Sequence, residues 1–330
     1  MLTPGLGGGS ARLALMLSFT LACVQPGDDP AHALRDAEVP RELAELDPDS
    51  PSLDAVGVLG VLVPGVRSES PTIAAVCTGT LIGPSSLVTS QACSQALARR
   101  DVQDLANPAS AVFGIGPDPA EPVAWAHVVD VADVPDTQPV DAPVEVMGLA
   151  VLHLEKPLLA VPKAKLANVS AALVGEVFVQ VGYAAPAAKG AGQRKVVPVQ
   201  LTEVRERTLE ATAANGCEDS RAFSCAGAAL LRVDEAGELV LYGVTSDVSD
   251  QRSVYTSFVD WKLKAFLEEA RAWTDPCGSL AQQPECAGEV TRRCSRPDEG
   301  GRRIVEQDCT EHGMACLQSE GGVSCAPQHL

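Results

Sequence analysis

Cysteine is the residue type that most constrains how this chain can fold. The 330-residue sequence contains 11 cysteines, and six of them lie between positions 277 and 325. That segment has few large apolar side chains, and a segment so small cannot build a sufficient core without cross-links. The cysteines therefore indicate either disulfides formed in an oxidising compartment or metal sites formed in a reducing one.

Cysteine spacing favours disulfides over zinc in the C-terminal segment. It contains no two cysteines separated by two residues, and His312 and His329 do not fall at zinc-finger spacing. We therefore predict a disulfide-rich module over residues 274–330, with three bridges. Six cysteines allow 15 connectivities, so the pairing stays open. The six are Cys277, Cys286, Cys294, Cys309, Cys316 and Cys325.

The N-terminus indicates an exported protein. An apolar run of ten residues follows Arg12. It is too short to span a bilayer, which needs about 20 residues, but it suits the core of an export signal. We predict a signal peptide over residues 1–22; a membrane anchor and a buried helix are the alternatives.

The end of the signal peptide leaves two possibilities. Thr20-Leu-Ala-Cys23 resembles a bacterial lipoprotein cleavage box, in which Cys23 would be lipidated, although Thr stands where Leu is usual. Ordinary cleavage after Ala22 is the alternative. Lipidation of one cysteine would leave an even number that can all pair.

An acidic stretch separates the signal peptide from the rest of the chain. Val24 to Asp54 contains nine acidic and two basic residues. Such a composition cannot bury enough apolar surface to fold alone, so we predict a solvated tether over residues 23–54. The whole chain carries a net charge of −18, which argues against a nucleic-acid partner because phosphate binding relies on clustered Lys and Arg.

The middle of the chain has a β-rich pattern. Short apolar runs separated by Pro, Gly and Asp predict strands that include residues 56–63, 174–183, 196–204 and 238–246. Many short strands of this kind are typical of an all-β sandwich or barrel. Apolar residues at helical spacing over 259–273 predict a single helix at the end of the region.

Five segments in this region occur in the order of one known family. They are Cys77–Pro84 (CTGTLIGP), Leu87–Cys93 (LVTSQAC), Met147–Leu154 (MGLAVLHL), Ser224–Leu231 (SCAGAALL) and Gly243–Ser246 (GVTS). They resemble the chymotrypsin/trypsin serine proteases, whose segments read CTGTLIGP, TAAHC, DIALLKL, GDSGGPLL and GVxS. The resemblance implies that residues 55–273 form two six-stranded antiparallel β-barrels with a C-terminal helix, and that Cys77 pairs with Cys93.

The chemistry of that family does not carry over to this chain. Its proteases need a serine nucleophile, a histidine base and an aspartate that orients the imidazole. The histidine of TAAHC falls on Ala92, the aspartate of DIALL on Gly148 and the serine of GDSGG on Ala226. The resemblance therefore implies a catalytically degenerate member with no catalytic residues at the triad positions.

Two further departures concern activation. In the family, the aspartate before the nucleophile pairs with a newly cut N-terminus; here Cys225 stands at that position. The nearest counterpart of the cleavage site is Asp54-Ala-Val-Gly57, which has no basic residue before the cut.

Relocated groups could in principle restore catalysis. His153 lies five residues after Gly148 and would face the opposite side of a regular strand, so we expect it to be packed rather than catalytic. Cys225 is expected to pair with Cys217 as a substitute bridge. The candidates for a relocated nucleophile or base are Ser90, Ser224, Cys225, His127 and His153.

Cofactor and metal sites are not expected. No cluster of His, Asp and Glu has metal-site spacing, and no Gly-rich loop of the phosphate-binding kind occurs. Arg292-Arg293 and Arg302-Arg303 either mark an acidic partner or lie in solvated turns.

The sequence favours a secreted or lipid-anchored cell-envelope pseudoprotease, periplasmic, outer-membrane or extracellular. We expect its surface loops to bind a protein or peptide partner, and a lipid anchor would hold it to the membrane. The alternatives are an active serine-type endopeptidase with a relocated nucleophile or base, and a passive envelope protein that displays the C-terminal module.

Overall fold

The structure is a computed structural model of the whole chain. It describes residues 46–63, 72–103, 111–134, 148–169, 173–183, 192–205, 207–213, 226–234, 236–249, 252–258, 261–281, 283–295, 302–319 and 322–327. The predicted signal peptide, Cys23 and residues 24–45 of the predicted tether lie outside these ranges.

Strands dominate the described residues. The strands are β1 (Val56–Val63), β2 (Thr72–Leu81), β3 (Ser86–Ser90), β4 (Ala111–Ile115), β5 (Ala124–Asp133), β6 (Leu149–Leu154), β7 (Lys165–Leu166), β8 (Val177–Tyr183), β9 (Arg194–Val204), β10 (Thr208–Ala213), β11 (Ala229–Val233), β12 (Leu239–Ser249), β13 (Arg252–Ser257), β14 (Glu285–Ala287), β15 (Val290–Cys294), β16 (Ile304–Asp308), β17 (Met314–Ser319) and β18 (Gly322–Pro327). The helices are α1 (Gln91–Gln103), α2 (Trp261–Arg271) and the short 3₁₀ helices Pro51–Ala55, Gly278–Ala281 and Thr310–His312.

Two closed antiparallel barrels form the body of the protein. The first has the strand order β1-β2-β3-β6-β5-β4, and β4 pairs back onto β1. The second has the order β11-β8-β9-β10-β13-β12, and the pairing of β11 with β12 closes it. The two-residue strand β7 adds to β12 in parallel. The predicted fold of two six-stranded barrels followed by a helix is confirmed.

Alternating side chains give the barrels separate interiors and a shared interface. On β8, Val177, Val179 and Val181 point into a buried cluster that also includes residues of β1, β3, β6 and α2. Phe178 points to the other side, into the interior of the second barrel. Because successive side chains of a strand face opposite sides, one strand can serve both cores.

The helix α1 was not predicted. The side chain of Ser90, at the end of β3, accepts a hydrogen bond from the backbone N–H of Cys93 at 3.3 Å, the arrangement of an N-cap residue. The helix has a weak apolar pattern, which is why periodicity missed it. The prediction of a single helix is therefore wrong. The predicted terminal helix is present as α2, which buries Leu263 and Leu267 against the shared interface.

The C-terminal residues form a small disulfide-rich module. It contains a three-stranded sheet, β14-β15-β16, and the hairpin β17-β18. Its cross-links are Cys277–Cys294, Cys286–Cys316 and Cys309–Cys325. This is one of the 15 possible connectivities, and Cys316 and Cys325 bond elsewhere although they lie opposite each other in the hairpin.

The last part of the predicted tether packs against the barrels. Leu53 is fully buried in the shared interface, within the 3₁₀ helix Pro51–Ala55. The prediction of a solvated tether is wrong for residues 46–54. The acidic composition of the stretch does not indicate that a few apolar side chains within it, Leu53 above all, can be buried. No helix in the described part of the chain is both long and apolar enough to cross a membrane.

Candidate functional site

Ala92 lies where β3 turns into α1. Ser90, two residues before Ala92, caps the helix, and the next residue, Cys93, forms a disulfide with Cys77 of β2, with the two Cα atoms 5.8 Å apart. The disulfide and the cap together hold the first turn of α1 against the barrel. Ala92 is 8% exposed and presents only a methyl group to the site.

Gly148 lies beside this helix start. The backbone N–H of Gln91, the neighbour of Ala92, donates to the carbonyl of Gly148 at 2.7 Å. Gly148 itself is buried and directly precedes β6. The two positions where the resemblance places histidine and aspartate in the proteases are thus joined by a hydrogen bond between adjacent backbone segments.

Ala226 reaches the same place from the second barrel. Its carbonyl accepts a hydrogen bond from the backbone N–H of Thr78 at 3.2 Å, and Thr78 is the neighbour of Cys77. The Ala226 methyl packs at the edge of the cluster that contains the Cys77–Cys93 pair. The structure therefore brings Ala92, Gly148 and Ala226 together at the junction of the two barrels.

The turn after Ala226 is tightly enclosed. Gly227 has φ +79°, and a Cβ atom there would lie 2.1 Å from the Thr78 carbonyl oxygen and 2.4 Å from the Thr89 hydroxyl. Its N–H donates to the carbonyl of Thr245 at 3.0 Å. Only glycine fits both the backbone angle and the space.

The relocated nucleophiles and bases are not assembled at this junction among the described residues. Ser90 is fully buried, and its hydroxyl is occupied by Cys93, with the sulfur 3.2 Å away. His127 lies on β5 with its ring edge-to-face against Trp125 at 5.3 Å. Ser224, Cys217 and Cys225 lie outside the described residues.

A serine–histidine pair does occur elsewhere, and the sequence did not single out its serine. Ser86 of β3 and His153 of β6 are register partners, with Oγ 3.1 Å from Nδ1. The Ser86 hydroxyl donates a hydrogen bond to the Ala270 carbonyl at 2.5 Å. Because a hydroxyl has only one hydrogen, the contact with His153 must be a hydrogen bond from the Nδ1–H of the imidazole to the Ser86 oxygen. This is the reverse of a nucleophile–base pair, in which the imidazole takes the serine proton.

The surroundings of His153 exclude substrate and solvent. Ser86 and His153 are 0% and 4% exposed, and the ring of Trp273 stacks on the imidazole with centroids 4.2 Å apart. Burial lowers the pKa of His153 to about 4, so the imidazole is neutral at ordinary pH. The pair ties the end of α2 to the first barrel.

Asp130 completes a row across three strands without forming a triad. It lies opposite His153 on the neighbouring strand β5. Its own pKa is raised by burial, and its carboxylate accepts a hydrogen bond from the backbone of Arg302 in the C-terminal module. Burial is the cause of the lowered His153 pKa, whereas a carboxylate orienting an imidazole would raise it.

Arginine side chains of the module are paired within the module. Arg292 contacts Glu285 and Glu306 at 3.3 and 2.9 Å, and Arg302 contacts Asp275 at 2.7 Å. These pairs leave Arg292 and Arg302 poorly suited to an acidic partner. Within the described ranges, no group of three or more His, Cys, Asp and Glu residues is arranged to hold a metal ion.

Comparisons with known proteins add a structural likeness. A match among solved structures is the "Structure of Glu endopeptidase in complex with MPD", with 15% sequence identity, a TM-score of 0.47, and coverage of 69% of this chain and 95% of that chain. No protein-family model and no curated protein matches the chain. From its two closed six-stranded barrels, the chain has a trypsin-like fold.

Proposed function

We propose that this protein is a non-catalytic, trypsin-like protein that binds a protein or peptide partner at the junction of its barrels and the adjoining loops. One observation carries the proposal. Ala92, Gly148 and Ala226 meet at the junction, and none of them can act as nucleophile, base or orienting carboxylate. In a serine protease with an intact Ser-His-Asp triad, loss of the serine or the histidine alone reduces turnover by about 10⁶-fold.

The proposal extends to the location of the protein. The described part of the chain contains four disulfides, which form and persist in oxidising compartments. We propose export through a signal peptide over residues 1–22 and a lipid on Cys23, with the tether placing the barrels away from the membrane. Incorporation of a radiolabelled fatty acid into the wild type and not into Cys23→Ala would support the anchor; no incorporation into either would refute it.

Active-site labelling tests the loss of catalysis. The full chain is treated with a fluorophosphonate probe and offered casein and peptide esters, with trypsin as the positive control. We expect no labelling and no hydrolysis, because a serine without a base is a weak nucleophile. Stoichiometric labelling that disappears in Ser90→Ala, Ser224→Ala or Cys225→Ala would contradict the proposal and identify a relocated nucleophile.

Binding is tested with a bulky side chain at the junction. Unfolded casein serves as the probe in a calorimetric titration of the wild type, Ala226→Tyr and Ala287→Tyr. Ala226 lies at the junction, whereas Ala287 is exposed on β14 of the module. We expect the Ala226 variant to lose binding and the Ala287 variant to bind as the wild type does. Binding that is equal in all three would place the site elsewhere, and no binding would favour passive display.

A further inference from the structure

The segment that leads into β1 is held by a buried arginine of the second barrel. Arg194, the first residue of β9, has a side chain with 0% exposure. Its guanidinium donates to the carbonyls of Pro48 (2.7 Å) and Ser50 (3.2 Å) and to the Asp54 carboxylate (2.9 Å). One side chain therefore binds three points of residues 48–54, which we call the leader segment.

Tyr183 supports the same contact from the neighbouring strand. It pairs with Arg194 in the β8–β9 ladder, and its hydroxyl donates to the Gly116 carbonyl at 2.5 Å. The Val56 carbonyl lies 3.4 Å from this hydroxyl and 3.5 Å from the guanidinium. Arg194 and Tyr183 of the second barrel thus contact the chain both before and after Ala55, the residue that precedes β1.

The leader segment ends at the bond that the protease resemblance marks for activation, between Asp54 and Ala55. Leu53, Ala55 and Val56 are fully buried in the shared interface, so this bond is inaccessible in the folded chain. A cut there would create an ammonium group in apolar surroundings. The position that supplies its carboxylate partner in the proteases is Cys225, and the Asp54 carboxylate is engaged by Arg194. An unpaired buried charge is strongly unfavourable.

We propose that the leader segment is a permanent latch, held by Arg194 across the barrel junction, and that the protein reaches its working form without cleavage before Ala55. In the proteases, a cation at the newly cut N-terminus pairs with the aspartate before the nucleophile. Here the charges are reversed, because the carboxylate is on the leader segment and the cation is on the second barrel. Cleavage at this point would release the latch rather than complete the fold. The inference holds whether the junction binds or catalyses.

Thermal unfolding of full-length variants tests the latch. Arg194→Met removes the cation and all its hydrogen bonds, and we expect Tm to fall by on the order of 10 °C, the scale for breaking a buried ion pair. Arg205→Met is the matched control, because Arg205 is 57% exposed, its pair with Glu203 lies on the surface, and its other partner, Glu210, keeps the pair with Arg252. We expect its Tm to change by about 1 °C or less. Equal shifts in the two variants would overturn the proposal.

Native-state proteolysis with mass analysis gives the second readout. In the wild type, residues 50–57 should resist cleavage, and Arg194→Met should raise the cleavage rate there at least tenfold while other sites change little. If Arg194→Met does not fold, Asp54→Asn replaces it: the amide oxygen still accepts from the guanidinium, so we expect a smaller Tm shift and a smaller rise in cleavage. A stable chain isolated from the producing cell that begins at Ala55 would refute the latch, as would an Asp54→Asn variant identical to the wild type.

Discussion

The barrel junction and the Ser86–His153 pair differ in what each lacks. At the junction, three positions from both barrels converge, but their side chains are two methyl groups and a hydrogen atom. At the pair, a hydroxyl and an imidazole are in contact, but both are buried, and Trp273 stacks on the imidazole. The difference shows that convergence and reactive groups are separate requirements, and that neither alone makes a catalytic site.

The junction has its shape for structural reasons. The hydrogen bond of Thr78 to Ala226 joins the two barrels, and that of Gln91 to Gly148 joins the start of α1 to the residue before β6. The Ser86–His153 pair likewise binds the last turn of α2, since Ser86 donates to the Ala270 carbonyl. Each region can therefore be tested as a structural element.

The largest expected effect is at the turn of the junction. Gly227→Ala should destabilise the protein by roughly 3 kcal/mol or more, because backbone strain at φ +79° adds to the overlap with Thr78 and Thr89. Gly237→Ala is the matched control: φ is also +79°, but no atom lies within 4 Å of the added Cβ, so a loss of about 1 kcal/mol is expected. Denaturant unfolding measures both. Similar losses would mean that the junction is loosely packed.

Acid should weaken the region of the Ser86–His153 pair. Unfolded His153 binds a proton near pH 6.5 and the folded residue only near pH 4, so the unfolded state takes up more protons between these values. Stability should be full above pH 6.5 and fall by roughly 3 kcal/mol as pH drops to 4. Asp130 has a raised pKa and acts in the opposite direction, so His153→Gln is compared with the wild type. An unchanged slope in that variant would show that His153 is not the group responsible.

The Ser86 hydroxyl should contribute to the stability of the folded protein. Ser86→Ala leaves the Ala270 carbonyl and the His153 Nδ1–H without this partner in a buried place, and should cost roughly 1–3 kcal/mol. Ser319→Ala is the control, because its hydroxyl donates to the Gly322 carbonyl in an exposed turn. That variant should stay within about 0.5 kcal/mol of the wild type in urea unfolding. A Ser86→Ala variant with an unchanged free energy of unfolding would contradict the structural role of the pair.

The smallest expected effect has the opposite sign. Thr80 of β2 is fully buried, and its hydroxyl has no hydrogen-bond partner among the described residues. Thr80→Val should therefore stabilise the protein by about 1 kcal/mol, since a buried unpaired hydroxyl carries a desolvation cost. A calorimetric Tm rise would support this, whereas a fall would mean that the hydroxyl has a partner.

Local sequence patterns predict several of the barrel strands, but they do not predict α1 or the burial of Leu53. The runs at 56–63 and 196–204 lie within β1 and β9, because a short apolar run bounded by Pro, Gly or Asp is visible in a few adjacent residues. The helix α1 was missed, although Ser90 is a good N-cap residue, because the helix has no strong apolar face. The composition of residues 46–54 predicts a solvated segment, because the buried Leu53 is one apolar residue in an acidic stretch.

Short segments of the sequence suffice to predict the all-β middle and the cysteine-rich module, and they show that Ala92, Gly148 and Ala226 carry no reactive side chain. Three kinds of contact are visible only in the folded chain: Ser86 with His153, Arg194 with Asp54, and the cysteine pairs of the module. These contacts join residues between 16 and 140 positions apart. They depend on strand register and barrel closure, which bring distant residues together and which no local pattern specifies.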